Sequence, residues 1–507
     1  MKNKKEYLEL IKLAFNDVEE TIRKKNPQFG VNEIIEKIIK TVFFYFCSFN
    51  GHETKVRENM FIILDGISHE TEDMKVSLQG HTLVLVIANG YNRYFDFKIY
   101  REMEIRSLLF IIPKLNNEES RENIEAKVSN SIFSDHFSIW FLEDLAPILV
   151  EYSRYISAFS DYFATIAIKS VLEGFDVKLE HQKWEIFKKQ SIKDLKNHAT
   201  NKLVLCLGAG ISMSVKLPSW KKLLKKLMII VGRRHKNDLK ISDEELDKHN
   251  INVNYLSKRM HFTEQDNPLI EADFIKGGLY PELRRFLYQI LHNTSSQLTS
   301  PLIEKINELC FSTAGVRKII NYNYDSIIYN YLNHHNNKSI DIDLIYDVHP
   351  SRGGPGNNIK LNHVHGFLED DKSKLILTDK DYFKLFENDN IWNNVCQLDS
   401  YEKDHCLLIG LSIKDQNLRR LMYKGFLLRQ LGHYTGIKMP HYALLQKLPI
   451  DKFLHAAYKR NYKKTHAAQQ YLFLYHFLKE LSYCQLGINV IWYKSYEEVP
   501  GILQRLY

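Results

Sequence analysis

Two asparagines and two histidines at the ends of apolar runs carry the most explicit chemistry in this chain. Asn321 and Asn323 stand two apart after the run Val316–Ile320, and His363 and His365 close the run Ile359–His365. Residues two apart on an extended strand face the same side, so either member of each pair could be the active one. An amide can orient a water or a hydroxyl, and an imidazole with a near-neutral reference pKa can take a proton. Asp325, two residues beyond Asn323, offers a carboxylate that either contacts a ligand or caps the helix that starts near Ser326. A third element is the run Leu203–Leu207, which enters Gly208, Ala209 and Gly210 before a helix after Pro218. Such a turn lets backbone N–H groups approach a pyrophosphate. The full GxGxxG spacing fails at Met213, so the same turn reads equally well as a tight strand-to-helix connection. Ser212 beside it supplies a hydroxyl. Gly410, Ser412, Asp415 and Asn417 follow another apolar run and either line a ligand or cap a helix near Gln416. Leu217 and Trp220 are read as pocket wall or as core.

These residues need a scaffold that brings strand ends together. From Asn201 onward, short apolar runs (Leu203–Leu207, Val316–Ile320, Ile359–His365, His405–Gly410, His441–Leu445, Ile488–Trp492) are mostly followed by helical patterns. The alternation predicts an α/β domain over about 200–507, with a doubly wound, Rossmann-like parallel sheet that binds ligands at its carboxyl edge. A polar, helical insertion over about 233–298 reads as a subdomain or lid. Residues 1–195 read as a separate α+β domain. It opens with helices over Glu6–Lys25 and Val31–Phe46, continues through strands near Asn59–Leu64, His81–Ala88, Arg93–Tyr100 and Ser107–Ile112, and passes a hairpin signal at Asn89-Gly90. A long helical region over Leu142–Leu179 closes it.

Composition narrows the function class. The 507 residues are 44% hydrophobic and 26% charged, with 28 Phe and 29 Tyr to fill cores, which excludes wholesale disorder. Net charge is 69 − 61 = +8, too small an excess to make nucleic acid the default partner, so that partner stays open. No apolar stretch approaches the roughly 20 residues needed to cross a bilayer. With no signal-peptide pattern at the start, the expectation is a cytoplasmic chain without a membrane partner. The six cysteines are scattered and form no CxxC pair, so a local zinc or redox site is not expected.

Taken in order, Gly208 to Ser212 with Leu217 to Trp220, then Asn323-Tyr324-Asp325, His365-Gly366 and Gly410 to Asp415, resemble the Sir2 (sirtuin-like) superfamily, specifically its bacterial defence-associated NADase branch. The likeness runs over about residues 200–507 and includes Leu377 to Tyr382 and Leu486 to Tyr493. It implies a SIR2-type sheet and NAD as substrate, cleaved at the nicotinamide–ribose bond without a metal. It also implies roles. Asn323 is the catalytic asparagine and His365 the proton acceptor, favoured over Asn321 and His363 by the NYD and HG contexts. Asp325 contacts the nicotinamide carboxamide. Gly208, Ala209, Gly210 and Ser212 hold phosphates, while Gly410 and Ser412 line the adenosine ribose and phosphates, with Asp415 extending that loop. Departures from the protein-deacetylating branch are the absent zinc-binding CxxC pairs, Ser219-Trp220 in place of Asp-Phe-Arg, and Tyr322 where that branch has Gln. They favour transfer of ADP-ribose to water over lysine deacylation. Lys216 stands where the family often has Gly.

The resemblance further implies antiphage defence by NAD depletion, an abortive-infection strategy. An always-active hydrolase would kill its host, so restraint is expected, released in a homo-oligomer or by a phage-derived activator or a partner defence protein such as a HerA-type ATPase. The alternative is an NAD or ADP-ribose sensing module coupled to an N-terminal nuclease-like or interaction domain. For the nuclease reading, Asp65 with Asp96 and Lys98 can be fitted to a carboxylate-and-lysine pattern, although the spacings do not secure convergent carboxylates.

Overall fold

The computed structural model describes residues 4–25, 31–50, 104–113, 118–129, 131–173, 177–199, 203–238, 267–292, 299–312, 316–335, 340–347, 358–431, 439–457 and 466–507, with shorter pieces at 52, 54–57, 60–64, 67–71, 74–78, 80–86, 100, 242, 244 and 248. It divides into two compact units. One comprises 191–425, 441–447 and 490–507, and the other 1–190, 426–440 and 448–489. This division differs from a boundary at 195–200, because two later segments complete the N-terminal unit.

Strands are numbered in chain order. In the N-terminal unit they are β1 (Thr54–Arg57), β2 (Met60–Ile63), β3 (Ile67–Thr71), β4 (Met74–Leu78), β5 (Thr82–Val86), β6 (Ser107–Ile111) and β7 (Phe137–Trp140). The remainder are β8 (Leu203–Leu207), β9 (Lys318–Asn321), β10 (Ile342–Ile345), β11 (Ile359–His363), β12 (His405–Ile409), β13 (His441–Gln446) and β14 (Ile488–Tyr493).

The last seven form one sheet in the order β10-β11-β9-β8-β12-β13-β14. Pairings β10/β11, β11/β9, β9/β8, β8/β12 and β12/β13 are all parallel. This is an α/β, Rossmann-like sheet consistent with the SIR2 fold. Parallel strands covered by helices on both faces must be apolar on both faces, and every side chain of β8 is buried. Each buried Leu there is worth about 2 kcal/mol. From β8 the chain builds outward through β9 to β10 and β11, then returns to place β12 on the other flank of β8. The reversal makes a topological switch point between the carboxyl ends of β8 and β12, where doubly wound sheets bind ligands. Six of the seven strands coincide with the apolar runs read from sequence to within one or two residues. The exception is β10, a half-buried strand at the end of the sheet order.

The turns after β8 and β12 close on each other. Gly208 N–H donates to Ile409 O (3.0 Å) and Gly210 N–H to Gly410 O (2.9 Å). A Cβ on Gly210 would lie 2.5 Å from Gly410 Cα, and one on Gly410, at φ +68°, would lie 2.9 Å from Gly210 Cα. Gly208 leads straight into a short helix, Ala209–Ser214, rather than into a single helix after Pro218; a second helix begins at Trp220. The short helix ends in a Schellman motif, with Lys216 N–H to Met213 O (3.0 Å) and Leu217 N–H to Ser212 O (3.1 Å). That motif requires a left-handed residue after the cap, and Lys216 takes it at φ +68°.

In the N-terminal unit, β1-β2-β5-β6-β7 form a sheet that is antiparallel at β1/β2 and β2/β5 and parallel at β5/β6 and β6/β7, while β3 and β4 pair separately. The helix Val31–Phe49 packs Phe43 against Trp140, ring centroids 5.6 Å apart. The helical region expected over Leu142–Leu179 consists of two helices, Leu142–Glu151 and Asp161–Glu173, with a 3-10 turn between, and a third that starts at Val177. Ser160 explains one break: its Oγ accepts from Tyr162 N–H (3.2 Å), starting a new helix as an N-cap does. The later segments are bound into this unit through polar contacts. Trp184 Nε1–H donates to Glu480 (3.1 Å), Arg154 lies 3.8 Å from Glu480 and 3.9 Å from Glu180, and Tyr45 OH donates to Asn489 (3.0 Å). The Asn89-Gly90 turn and the Arg93–Tyr100 strand lie outside the described residues except for Tyr100, which is helical.

Glycine substitutions test this packing. Gly366 sits at φ +94°, and the Lys374 carbonyl oxygen occupies the space that a Cβ would need, so Gly366→Ala should cost about 2–4 kcal/mol. Gly277, inside a helix with nothing within 4 Å, should gain about 0.5–1 kcal/mol on Gly277→Ala. Urea denaturation midpoints measure both, and a Gly366→Ala midpoint equal to wild type would contradict the backbone packing.

Candidate active site

Strand register brings the separate motifs onto one edge. Ile409 pairs with Leu207, Leu207 with Asn321, and Asn321 with His363, so four strands end in a single row. Both members of each sequence pair are buried, but they do different things. Asn321 and His363 form a supporting layer. Asn321 Oδ1 accepts from Asn323 N–H (3.1 Å), and His363 Nδ1–H donates to Asn323 O (3.0 Å), which leaves His363 Nε2 as the acceptor facing Asn321 Nδ2 (3.4 Å). A carbonyl only accepts, so this contact assigns the proton to Nδ1. Burial lowers the His363 pKa to about 4, with the bond to Asn323 opposing it.

Asn323 is gripped from a third side, its Nδ2–H donating to Gly208 O (3.0 Å). Its Oδ1 meets no protein donor among the described residues and can receive a hydroxyl or water. His365, 8% exposed, stands edge-on to the Tyr322 ring at 5.1 Å and near the Tyr382 ring at 5.9 Å. Its Nε2 is buried and without a hydrogen-bond partner, 3.7 Å from Asp415 Oδ2. Burial lowers its pKa, against an opposing pull from Asp415. The ring is therefore a neutral imidazole around pH 7, competent to take a proton.

The remaining candidates are distributed around this pair. Ser212 Oγ–H donates to Asp325 Oδ2 (2.7 Å), and Asp325 Oδ1 accepts from Ile327 N–H (3.3 Å), so the carboxylate links the glycine turn to the start of the helix Ile327–His334. Burial raises the Asp325 pKa against those two donors. In the turn itself the amides of Gly208, Gly210 and Ile211 are committed to Ile409, Gly410 and Gly208 carbonyls. Ala209, first in its helix, holds an amide with no intrahelical acceptor. Close backbone packing thus requires these glycines whether or not a phosphate binds. Ser412 is exposed, and Asp415 caps the helix Gln416–Leu431 through Leu418 N–H to its Oδ1 (2.7 Å). Asn417 is buried and donates to Asn394 (2.9 Å), Leu217 belongs to the core, and Trp220 leans on Tyr324 at 6.3 Å.

Several residues that complete the site carried no periodic or motif signal. Tyr496 OH donates to Gly210 O, and Asn393 Nδ2–H to Val364 O. Tyr322 OH reaches Gln397 and Tyr401. Arg284 donates to the carbonyls of Phe367 (3.2 Å), Leu368 (3.0 Å), Asp370 (2.8 Å) and Ser373. Arg284 lies in the insertion, as does Lys276, whose Nζ is 3.1 Å from Asp381. The described insertion helices are thus fastened to the loop that follows His365 and to the helix Asp379–Glu387. Asp65, Asp96 and Lys98 lie outside the described residues. Lys221, Lys222, Lys225 and Lys226 form an exposed helix face. Among the described residues no cluster of three His, Cys, Asp or Glu side chains could hold a metal, and no helix is long and apolar enough to cross a membrane.

Residues 317–472 match the SIR2-like domain family. The match covers less than half of the chain and supports a place in the Sir2-like superfamily, which points to NAD-related activity. It includes Asn323, His365, Gly410 and Asp415 and begins after the glycine turn, which the Gly210–Gly410 contact ties to it. No curated protein matches the chain.

The neutral His363 makes a pH prediction. Its folded pKa lies below the reference of 6.5, so its contribution is intact above pH 6.5 and lost as pH falls toward about 4. The loss from this one group reaches about 3 kcal/mol. Denaturation at pH 7.5 and pH 5 should show a steeper loss for wild type than for His363→Gln; equal losses would remove His363 from the account.

Proposed function

We propose that this chain is an NAD+ hydrolase that releases nicotinamide and ADP-ribose. The observation that supports it is that the carboxyl edge of the sheet carries, on the neighbouring strand ends of β9 and β11, Asn323 with an unclaimed Oδ1 and His365 with a buried neutral imidazole. In this reaction the C1′–N bond breaks and its electron pair neutralises the pyridinium. Water bonds to C1′ and gives up its proton. Asn323 orients the water or a ribose hydroxyl, held by three contacts that fix its own position. His365 accepts the proton in a site walled by Tyr322 and Tyr382. Asp325 is read as the contact for the nicotinamide carboxamide, and Ala209, Ser212, Gly410 and Ser412 as lining the rest of the dinucleotide. The proposed setting is antiphage defence by depletion of NAD, with restraint until an activator or assembly partner acts.

Nicotinamide release by the purified chain tests the reading. Asn323→Ala and His365→Ala should each cut turnover by about 100-fold or more with the fold retained, and a chelator should leave turnover unchanged. Wild-type rates in both variants would overturn the assignment. Restraint requires its own measurement. A bias of about 4 kcal/mol toward an inactive state leaves roughly one molecule in a thousand active. The intact chain alone should therefore turn over slowly, with activation accompanied by a change of mass in solution. The intact chain is the right material, because removing residues 1–190 would break up a unit that includes 448–489. A fast monomeric hydrolase without activator would refute the restraint.

A further inference from the structure

We infer that Asp415 is the positioning residue of His365: it holds the ring by Nε2–H, leaves Nδ1 as the proton-accepting nitrogen, and stabilises the imidazolium formed during reaction. This rests on the reading of His365 as the base of an NAD hydrolase. Three observations carry it. First, Nε2 is a buried ring nitrogen with no hydrogen-bond partner, and the nearest opposite charge is Asp415 Oδ2 at 3.7 Å. A lone pair turned toward a carboxylate in that setting is repelled, whereas an N–H is attracted, so the geometry favours the Nε2–H tautomer. Second, the carboxylate is itself fixed at both oxygens. Leu418 N–H binds Oδ1 at 2.7 Å, and Tyr382 OH donates to Oδ2, the oxygen that faces His365. Third, Ile413, two residues before Asp415, is buried at φ +54°. A β-branched residue in the left-handed region costs energy that surrounding packing must offset, and such outliers concentrate where a side chain has to be aimed.

Among the described residues, the titratable groups facing His365 are Tyr322, Tyr382 and Asp415, from the end of β9, the helix Asp379–Glu387 and the loop after β12. Burial raises the phenol pKa of both tyrosines, so at neutral pH they stay uncharged, and the carboxylate that faces the ring is that of Asp415. When water is activated, its O–H bond breaks and an N–H bond forms at Nδ1. The positive ring then lies against the Asp415 carboxylate until the proton passes to solvent. The arrangement follows the logic of an acid that orients a histidine without itself being protonated.

Asp415→Asn separates this role from helix capping, because Asn caps as well as Asp but carries no charge. Imidazole NMR of the full chain, with His365 assigned by comparison with His365→Gln, reads tautomer and titration without any need for turnover. The expected wild type is the Nε2–H tautomer, and Asp415→Asn should lower the His365 midpoint by about one pH unit or more. Tyr382→Phe leaves the charge in place and should keep the tautomer with a smaller change. Steady-state kinetics supply the second readout: Asp415→Asn should reduce kcat about 100-fold or more with KM for NAD+ little changed. An Nδ1–H tautomer in wild type, an unchanged midpoint in Asp415→Asn, or a raised KM with wild-type kcat would overturn the inference; the last would assign Asp415 to ligand binding. If the wild type released no nicotinamide, the hydrolase reading would fail while the NMR result still judged the pair.

Discussion

The contact between two glycine backbones, Gly210 against Gly410, is the constraint on which the rest of the site depends. Two parallel strands diverge at the switch point, and their following turns must pass each other at a distance no side chain permits: a Cβ on Gly210 would sit 2.5 Å from Gly410 Cα. Because the turns can touch, Gly208 O is presented to Asn323, Tyr496 reaches Gly210 O, and the loop after β12 turns back to deliver Asp415 toward His365. A larger residue at either glycine would push apart the turn carrying Gly208 and the turn carrying Asp415, separating the groups of the candidate site.

Beneath that contact lies a layer of buried polar groups whose hydrogen bonds are taken up within the protein and which hold the strand ends in place. Asn321 and His363 satisfy each other and the backbone of Asn323, while Tyr322, Gln397 and Tyr401 form a second closed network. Buried polar groups are tolerated only when bonded, and once bonded they resist displacement. Each strand end therefore pairs a satisfied inner residue with an outer one that retains unclaimed capacity: Asn321 with Asn323, His363 with His365. The insertion contributes in the same manner, since Arg284 spends its guanidinium on the loop that follows His365.

The N-terminal unit is organised on a different principle, with an apolar interior closed by a few buried charges. Arg154 lies between Glu180 and Glu480, with its guanidinium over the rings of Tyr155 and Phe477. A buried ion pair adds little net stability but penalises any arrangement that separates its members, which suits a contact joining segments some 300 residues apart in sequence. Residues 448–489 thereby belong to this unit although the family match extends through 472.

The order of strands and glycine turns was legible in sequence because both have local causes. A strand buried on two faces must be uniformly apolar, and a strand-end turn under steric pressure must be glycine; six strands of the large sheet and the glycines at 208, 210, 366 and 410 follow from those rules. Periodicity made Asn323 and His365 legible only as members of pairs, since it places Asn321 and His363 on the same side, and the preference within each pair came from the NYD and HG contexts of the Sir2-like resemblance. What distinguishes them is the partner each meets across the sheet, and such partners lie 40 to 115 residues away. For the same reason Tyr496, Arg284 and the Asp415–His365 approach left no local trace. Residue order alone is enough to say which side chains can end a buried strand and turn. Which of their polar atoms are spent on the protein and which remain for a substrate is set by the folded chain, because it depends on distances between segments that no local pattern encodes.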